Sequence, residues 1–284
     1  MTNMQFRFLF LTTVWLVVLL NSAMAQGSRA TSALAYRQRG DEFLQLGDLH
    51  RAIEDYSLAL VFNPKDVDSY NNRGMAKFKQ GDLAGALSDY NRALALRPTL
   101  GTAYYNRGLA RKALGDLPGA LSDFDLAIQL APKLVEAWNN RGNVRRRTGD
   151  LTGALEDYQQ ALKLNPKLAE AYNNRGIVRL SNGDAAGALS DYDHALKLNP
   201  QYAAAYHNRG LVRQTLGDHA GALADFNQAL THNPKLPDAY LQRGLWHWQN
   251  GQRAQAQQDF SECVRLNPDL QASLERRLRQ QRND

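Results

Sequence analysis

A single cysteine, Cys263, stands in the 284 residues of this chain. One thiol cannot close an internal disulfide, nor can it supply a multi-cysteine metal site. The sequence also lacks HExxH, CxxC and any glycine-rich phosphate loop, so the common signatures of metalloprotease, dithiol and nucleotide chemistry are missing. Neither sign of charge dominates. Lys and Arg number 34 against 28 Asp and Glu, a net of +6, too modest a surplus to point to nucleic acid. Long apolar runs are scarce. The one at 8–20, FLFLTTVWLVVLL, has 13 residues, short of the roughly 20 that a membrane-spanning helix needs.

That run follows Arg7 and precedes Ala23-Met24-Ala25, a small-x-small triplet. The layout is that of a secretory signal peptide over 1–25, cleaved after Ala25, with an uncleaved N-terminal anchor as the alternative. The mature chain is then expected to be secreted or periplasmic, with no stable membrane insertion after cleavage. Residues 26–32 read as a short linker.

What fills the rest is a repeat. Arg39, Arg73, Arg107, Arg141, Arg175, Arg209 and Arg243 are each 34 residues apart, and seven prolines from Pro64 to Pro268 keep the same step. Seven units follow in phase: 33–66, 67–100, 101–134, 135–168, 169–202, 203–236 and 237–270. A fixed period of this length means stacked supersecondary units, each sheltered by its neighbours. The fourth unit reads as two helices. The first runs over about 136–148 and ends at Gly149-Asp150, since glycine tolerates the left-handed conformation that closes helices. The second carries Ala154, Tyr158 and Ala161 on one apolar stripe, with Asp150 placed to cap its start. Pro166 then disfavours further helix in the residue before it. Leucines at 270, 274 and 278 suit a capping segment over 271–284.

Each arginine lies on the same helical face as an aromatic and a glycine that should be buried. Asp55, Asp89, Asp123, Asp157, Asp191, Asp225 and Asp259 recur 16 residues later, each directly before the stripe aromatic. The expectation is a ladder of partly buried Arg–Asp pairs, within a repeat or across to the next. The alternative is that arginines snorkel and aspartates are solvated. Lys77, Arg111, Arg145, Arg179 and Arg213 form a second basic series in the last turn of the first helices. A cation there favours the helix end. The other reading is a basic stripe for an acidic ligand, strongest at Arg145-Arg146-Arg147.

The fourth unit, with Trp138, Gly142, Ala154, Tyr158 and Pro166 at the expected spacings, resembles the tetratricopeptide repeat (TPR) family. The family's leucine before glycine is arginine here, and its next aromatic is basic in units two to six. The resemblance implies an all-α, right-handed superhelix of antiparallel helix pairs, with the first helices lining a concave groove. It implies a scaffold for a protein or peptide partner, without enzymatic activity or cofactor. Self-assembly or architecture within an envelope complex is one alternative. Regulation of an envelope protease or cell-wall enzyme is another.

Positions one, five and eight after each leading aromatic should face that groove. In the second and third units these include Asn71, Met75, Phe78, Tyr105, Leu109 and Lys112. The fourth and fifth supply Asn139, Asn143, Arg146, Asn173, Ile177 and Leu180. His207, Leu211, Gln214, Leu241, Leu245 and Trp248 follow in the last two. Asparagines could pair with an extended peptide backbone and the apolar positions could take its side chains. Trp246 and Trp248 flank the C-terminal end as candidate anchors, unless one packs beneath the cap. The lysine slots of the family's carboxylate clamp hold Arg37, Asn71, Tyr105, Asn139, Asn173, His207 and Leu241. No complete clamp is present, so chaperone-tail binding is not expected. His247 and Cys263 both replace stripe residues in the seventh unit. A Cys–His nucleophile is conceivable there, against the plainer expectation of a small core residue beside a packed histidine.

Overall fold

The computed structural model describes Ser28 and residues 30–283. The leader expected over 1–25 and its cleavage site lie outside them. Fifteen helices and no strands occur among the described residues. None of these helices is long and apolar enough to cross a membrane.

The chain divides into two compact units, 1–137 and 138–284. The first contains α1 (30–45), α2 (Leu49–Phe62), α3 (Val67–Gln80), α4 (Leu83–Leu96), α5 (Gly101–Ala113) and α6 (Leu117–Leu130). At the junction α7 (Val135–Arg147) begins, and α8 (Leu151–Leu164), α9 (Ala169–Ser181), α10 (Ala185–Leu198) and α11 (Ala203–Thr215) follow. The second unit continues with α12 (His219–His232), α13 (Pro237–Gln249), α14 (Arg253–Leu266) and α15 (Leu270–Asn283). Odd-numbered helices through α13 are the first helices of the repeats; even-numbered ones are the second.

Local chemistry explains each hairpin. Gly149 takes φ +89°, a conformation that would strain an L-residue with a Cβ. The turn it makes brings Asp150 to the N-cap of α8, where its side chain accepts from the Gly153 N–H at 2.9 Å. Five other second helices, α2, α4, α6, α10 and α12, are capped by aspartate in the same way. At the other end Asn165 leaves the helix, and its side chain accepts from the Lys167 N–H at 3.0 Å. The hairpin closes on its stripe: Ala154, Tyr158 and Ala161 are fully buried. The Tyr158 ring lies over Gly142, where an added Cβ would sit 2.8 Å from Cε1. Burying such a ring contributes roughly 1.5–3 kcal/mol.

Within each unit, hairpins pack in sequence, α2 on α3 and α4 on α5 in the first, α8 on α9, α10 on α11 and α12 on α13 in the second. First helices also approach their own counterparts, α3 to α5 and α9 to α11. Among the described residues second helices show no comparable approach. Each unit therefore curves towards its layer of first helices, which is its concave side. At the C-terminus α15 packs Leu270, Leu274 and Leu278 against the core of the seventh repeat.

Candidate functional site

The charges inside the stacks come first, because they set what remains free. Every ladder arginine reaches the aspartate 16 residues on, within its own repeat. The closest contacts are 2.6–2.7 Å for Arg39–Asp55, Arg73–Asp89, Arg107–Asp123, Arg141–Asp157, Arg175–Asp191, Arg209–Asp225 and Arg243–Asp259. In most pairs Nε and Nη2 hold the two carboxylate oxygens side by side, as Arg175 does at 2.9 and 2.6 Å. The seven aspartates are at most 4 % exposed. Each arginine also lies over its repeat's leading aromatic, 4.9–5.6 Å from the ring centre. Hydrogen bonding to Asp259, against the opposing effect of burial, raises the Arg243 guanidinium above its usual range.

The second basic series joins the same ladder. Lys77, Arg111, Arg145, Arg179 and Arg213 reach Asp89, Asp123, Asp157, Asp191 and Asp225 at 2.8–3.1 Å. Each of these aspartates is thus gripped by two cations one helical turn apart. This removes the basic-stripe reading for those five residues: their charge is spent on the core. Arg146 is different. It is half-buried, it holds no ion pair among the described residues, its guanidinium hydrogen-bonds the Tyr158 hydroxyl, and its Nε is buried without a hydrogen-bond partner.

The concave layer can be described unit by unit. In the first, Asn71, Met75, Phe78, Tyr105 and Leu109 are half-buried. Asn106 donates to Asn71 at 3.0 Å, Asn71 to Asn72 at 3.1 Å and Asn72 to Asp41 at 2.9 Å. Tyr105 tilts onto Phe124 at 6.0 Å between ring centres. In the second unit Asn208 donates to Asn173 at 2.9 Å and Asn174 to Asn139 at 3.4 Å. Asn139 and Asn173 are only 4 % exposed. These two asparagines do not face an incoming backbone; they are tied to the next repeat. Sequence reasoning missed this amide chain because an Asn-Asn pair reads as surface. Asn143, Ile177, Leu180, His207, Leu211 and Gln214 remain half-buried on the concave side.

A pairing rule links this layer to the core. The stripe tyrosine's hydroxyl reaches the residue one position after the repeat's first-helix glycine. Tyr56 donates to Asp41 at 2.7 Å and Tyr158 to Asn143 at 2.8 Å. Where that residue is leucine, at Leu109, Leu211 and Leu245, the ring is Phe124, Phe226 or Phe260 and needs no acceptor. Tyr90, opposite Met75, and Tyr192, opposite Ile177, break the rule, and the Tyr192 hydroxyl is buried with no partner. Burial pushes the Tyr192 phenol up, the Asp191 charge adds to this, and Arg146 opposes it. Burial also pushes Tyr158 up to about 12, with Arg146 again opposing. A buried donor without an acceptor is costly. Tyr192→Phe is therefore expected to raise stability by about 1 kcal/mol in urea unfolding; an unchanged or lower midpoint would contradict the orphaned hydroxyl. His207 carries a third orphan, Nδ1, with its ring tilted onto Phe226 at 5.9 Å. Burial lowers its pKa, with Asp238 opposing.

Comparison with known families bears on the whole array. One TPR repeat model matches residues 40–81, 74–115, 142–183 and 178–217; two tetratricopeptide repeat models match 203–236, and 101–134 with 237–270. The chain belongs to the tetratricopeptide repeat family. Solved structures agree on the fold. A tetratricopeptide repeat protein from Parabacteroides merdae superimposes with a TM-score of 0.68 at 23 % identity, covering 86 % of this chain and 97 % of that one. YrrB, described as a TPR protein with an unusual peptide-binding site, gives 0.55 at 25 % identity, over 66 % of this chain and 97 % of its own. Pseudomonas aeruginosa pilF gives 0.65 at 17 % identity, over 72 % and 95 %. The comparison with curated proteins finds no match.

The seventh repeat of this TPR protein departs from the groove expectation. Leu241 and Leu245 are 3 % and 5 % exposed, in a cluster with Phe260, Cys263 and Leu274 of the capping helix. Trp248 packs against the same cluster, 6.4 Å from the Phe260 ring, with Arg253 over its face. Leu241 and Leu245 do not line an open surface, because α15 lies where a further repeat would lie and apolar side chains turn to it; Trp248 stays half-buried. Cys263 is buried, and burial raises its thiol above the usual range, with Asp238 adding to the effect. That is the reverse of an activated nucleophile. His247 is held by Gln252 and faces Asp259 at 3.9 Å, in the place the second cation takes elsewhere.

Proposed function

We propose that the concave layer of first helices binds a segment of a protein or peptide partner, and that the chain is a non-catalytic scaffold working outside the cytoplasm. One observation carries the reading. The charges of the ladder are paired inward, while the concave side keeps half-buried apolar and polar groups: Met75 and Leu109 in the first unit; Ile177, Leu211, Arg146 and His207 in the second. Such a mixed surface suits an extended segment, with apolar contacts for affinity and few polar ones for register. The peptide-binding site in the description of YrrB, at 25 % identity, supports it. The extracytoplasmic setting rests on the leader read at 1–25.

Photo-crosslinking tests the surface directly. A photoreactive residue replacing Leu109 or Leu211 is expected to capture a shared partner in the native compartment, while one replacing the exposed Glu156 of α8 is not. Capture from Glu156 alone would move the interface to the second helices and favour an architectural role.

A further inference from the structure

Three contacts recur where one repeat meets the next. A small residue near the start of a first helix seats on the preceding second helix, as Ala205 does on Ala195 and Leu196. The ladder arginine sends Nη1 back to an oxygen, as Arg73 does to Ser57 at 3.0 Å. Two residues after the first-helix glycine an apolar side chain packs into the preceding stripe, as Val178 does among Leu151, Ala154, Leu155 and Tyr158. No repeat precedes the first among the described residues, and all three positions stand open at this head of the array. Ala35 is exposed, whereas its counterparts Ala103 and Ala205 are fully buried. The Arg39 side chain is 54 % exposed against 12–23 % for the other ladder arginines. Its Nε and Nη2 hold Asp55, and its Nη1 has no partner among the described residues. Glu42 is exposed at the position where Ala76, Ala110, Val144, Val178 and Val212 are fully buried.

The seventh repeat, the tail, presents the complement. Ser261 stands at the register of Ser57 and is exposed. Val264 is half-buried where its counterpart Leu196 is 7 % exposed. Arg253 and Gln257, both exposed, take the register of Leu151 and Leu155. An apolar contact inside the array thus becomes a glutamate at one end and an arginine beside an amide at the other. Opposite signs at positions that meet across a joint fix partner and register. α15 holds the tail by Leu270, Leu274 and Leu278, yet a groove stays open over Phe260, Ser261 and Val264. We infer that the head of one copy docks on the tail of another in place of α15. Glu42 then faces Arg253 and Gln257, Arg39 donates from Nη1 to the Ser261 hydroxyl oxygen, and Ala35 seats on Val264. The pairing is heterologous, so copies add in line and do not close as a pair. α15 competes for the same end. Two tails do not suit each other, because α15 has four arginines and one glutamate. Such stacking does not depend on what the concave groove binds.

Sedimentation velocity of the mature chain at rising concentration tests this. The average mass is expected to climb past that of a dimer without settling at a closed size. Glu42→Arg and Arg253→Glu should each weaken association by about tenfold or more, because like charges then meet at the joint. The double variant, with both signs exchanged, should regain it. Glu156→Arg, on the exposed side of α8, should leave association as it was. Circular dichroism melts check that the variants fold; Glu42 and Arg253 are both exposed. A chain that stays monomeric throughout overturns the inference. So does association that stops at a dimer, that survives both single reversals, or that the double variant fails to restore.

Discussion

Replacing Asp157 by alanine is expected to lower stability by about 3–5 kcal/mol. The carboxylate is fully buried and holds Arg141 at 2.6 Å and Arg145 at 3.1 Å. Without it Arg141 loses the buried carboxylate it grips at a helix–helix seam, and Arg145 is left with the exposed Asp150 at 3.5 Å. The control is Asp150→Ala, which removes an exposed N-cap and should cost only about 1 kcal/mol. Urea unfolding with hydrogen exchange across α7 and α8 reads both, since opening in a repeat array need not be global. The pair need not be worth much in net terms. Desolvation cancels much of the attraction, and an apolar replacement of similar volume can be neutral. What the ladder supplies is a penalty for misplacement: a hairpin that slips strands its charges. A double-mutant cycle on Arg175 and Asp191 measures that coupling, and a value near zero would sink the idea.

The second large effect is steric. Gly142→Ala places a methyl 2.8 Å from Cε1 of Tyr158, a ring with no exposed edge and a hydroxyl held by Asn143. The ring cannot step aside, so the helices must part, at a cost of roughly 1–3 kcal/mol for overpacking. The same exchange in an exposed stretch of helix would be stabilising, because alanine is the better helix former. The sign of the change in thermal midpoint therefore decides whether contact or propensity governs the position. A rise would show that the hairpin is looser than its geometry.

Both sites were readable from spacing. A 34-residue period gave the hairpins, and an aspartate 16 residues after each arginine gave its partner. The ladder's second cation was readable only halfway. Arg141 and Arg145 stand four apart, so a shared face was evident, but spacing does not say that both bend to one carboxylate. The concave surface was less legible. Asn139 and Asn173 looked like free amides, yet they bond to or receive from the adjoining repeat, a relation that depends on how hairpins stack. Leu241 and Leu245 looked like groove because their positions match; the capping helix, not the local pattern, buries them. The orphaned Tyr192 could have been found earlier. Setting each stripe aromatic beside its first-helix counterpart shows Tyr with Asp or Asn, Phe with Leu, and Tyr192 opposite Ile177. Tyr90 opposite Met75 shows the same mismatch.

The third nitrogen of the ladder arginines has a wider consequence. Nη1 of Arg73, Arg107, Arg209 and Arg243 reaches back to Ser57, Asn91, Asp193 and Asn227. Four joints, three kinds of side chain, and one requirement: an oxygen at a fixed place on the preceding module. Couplings that undemanding are interchangeable. A gene segment encoding one module could be duplicated or lost, and the arginine at the new joint would still find its oxygen, so an array of this kind can change length without first rewriting its seams.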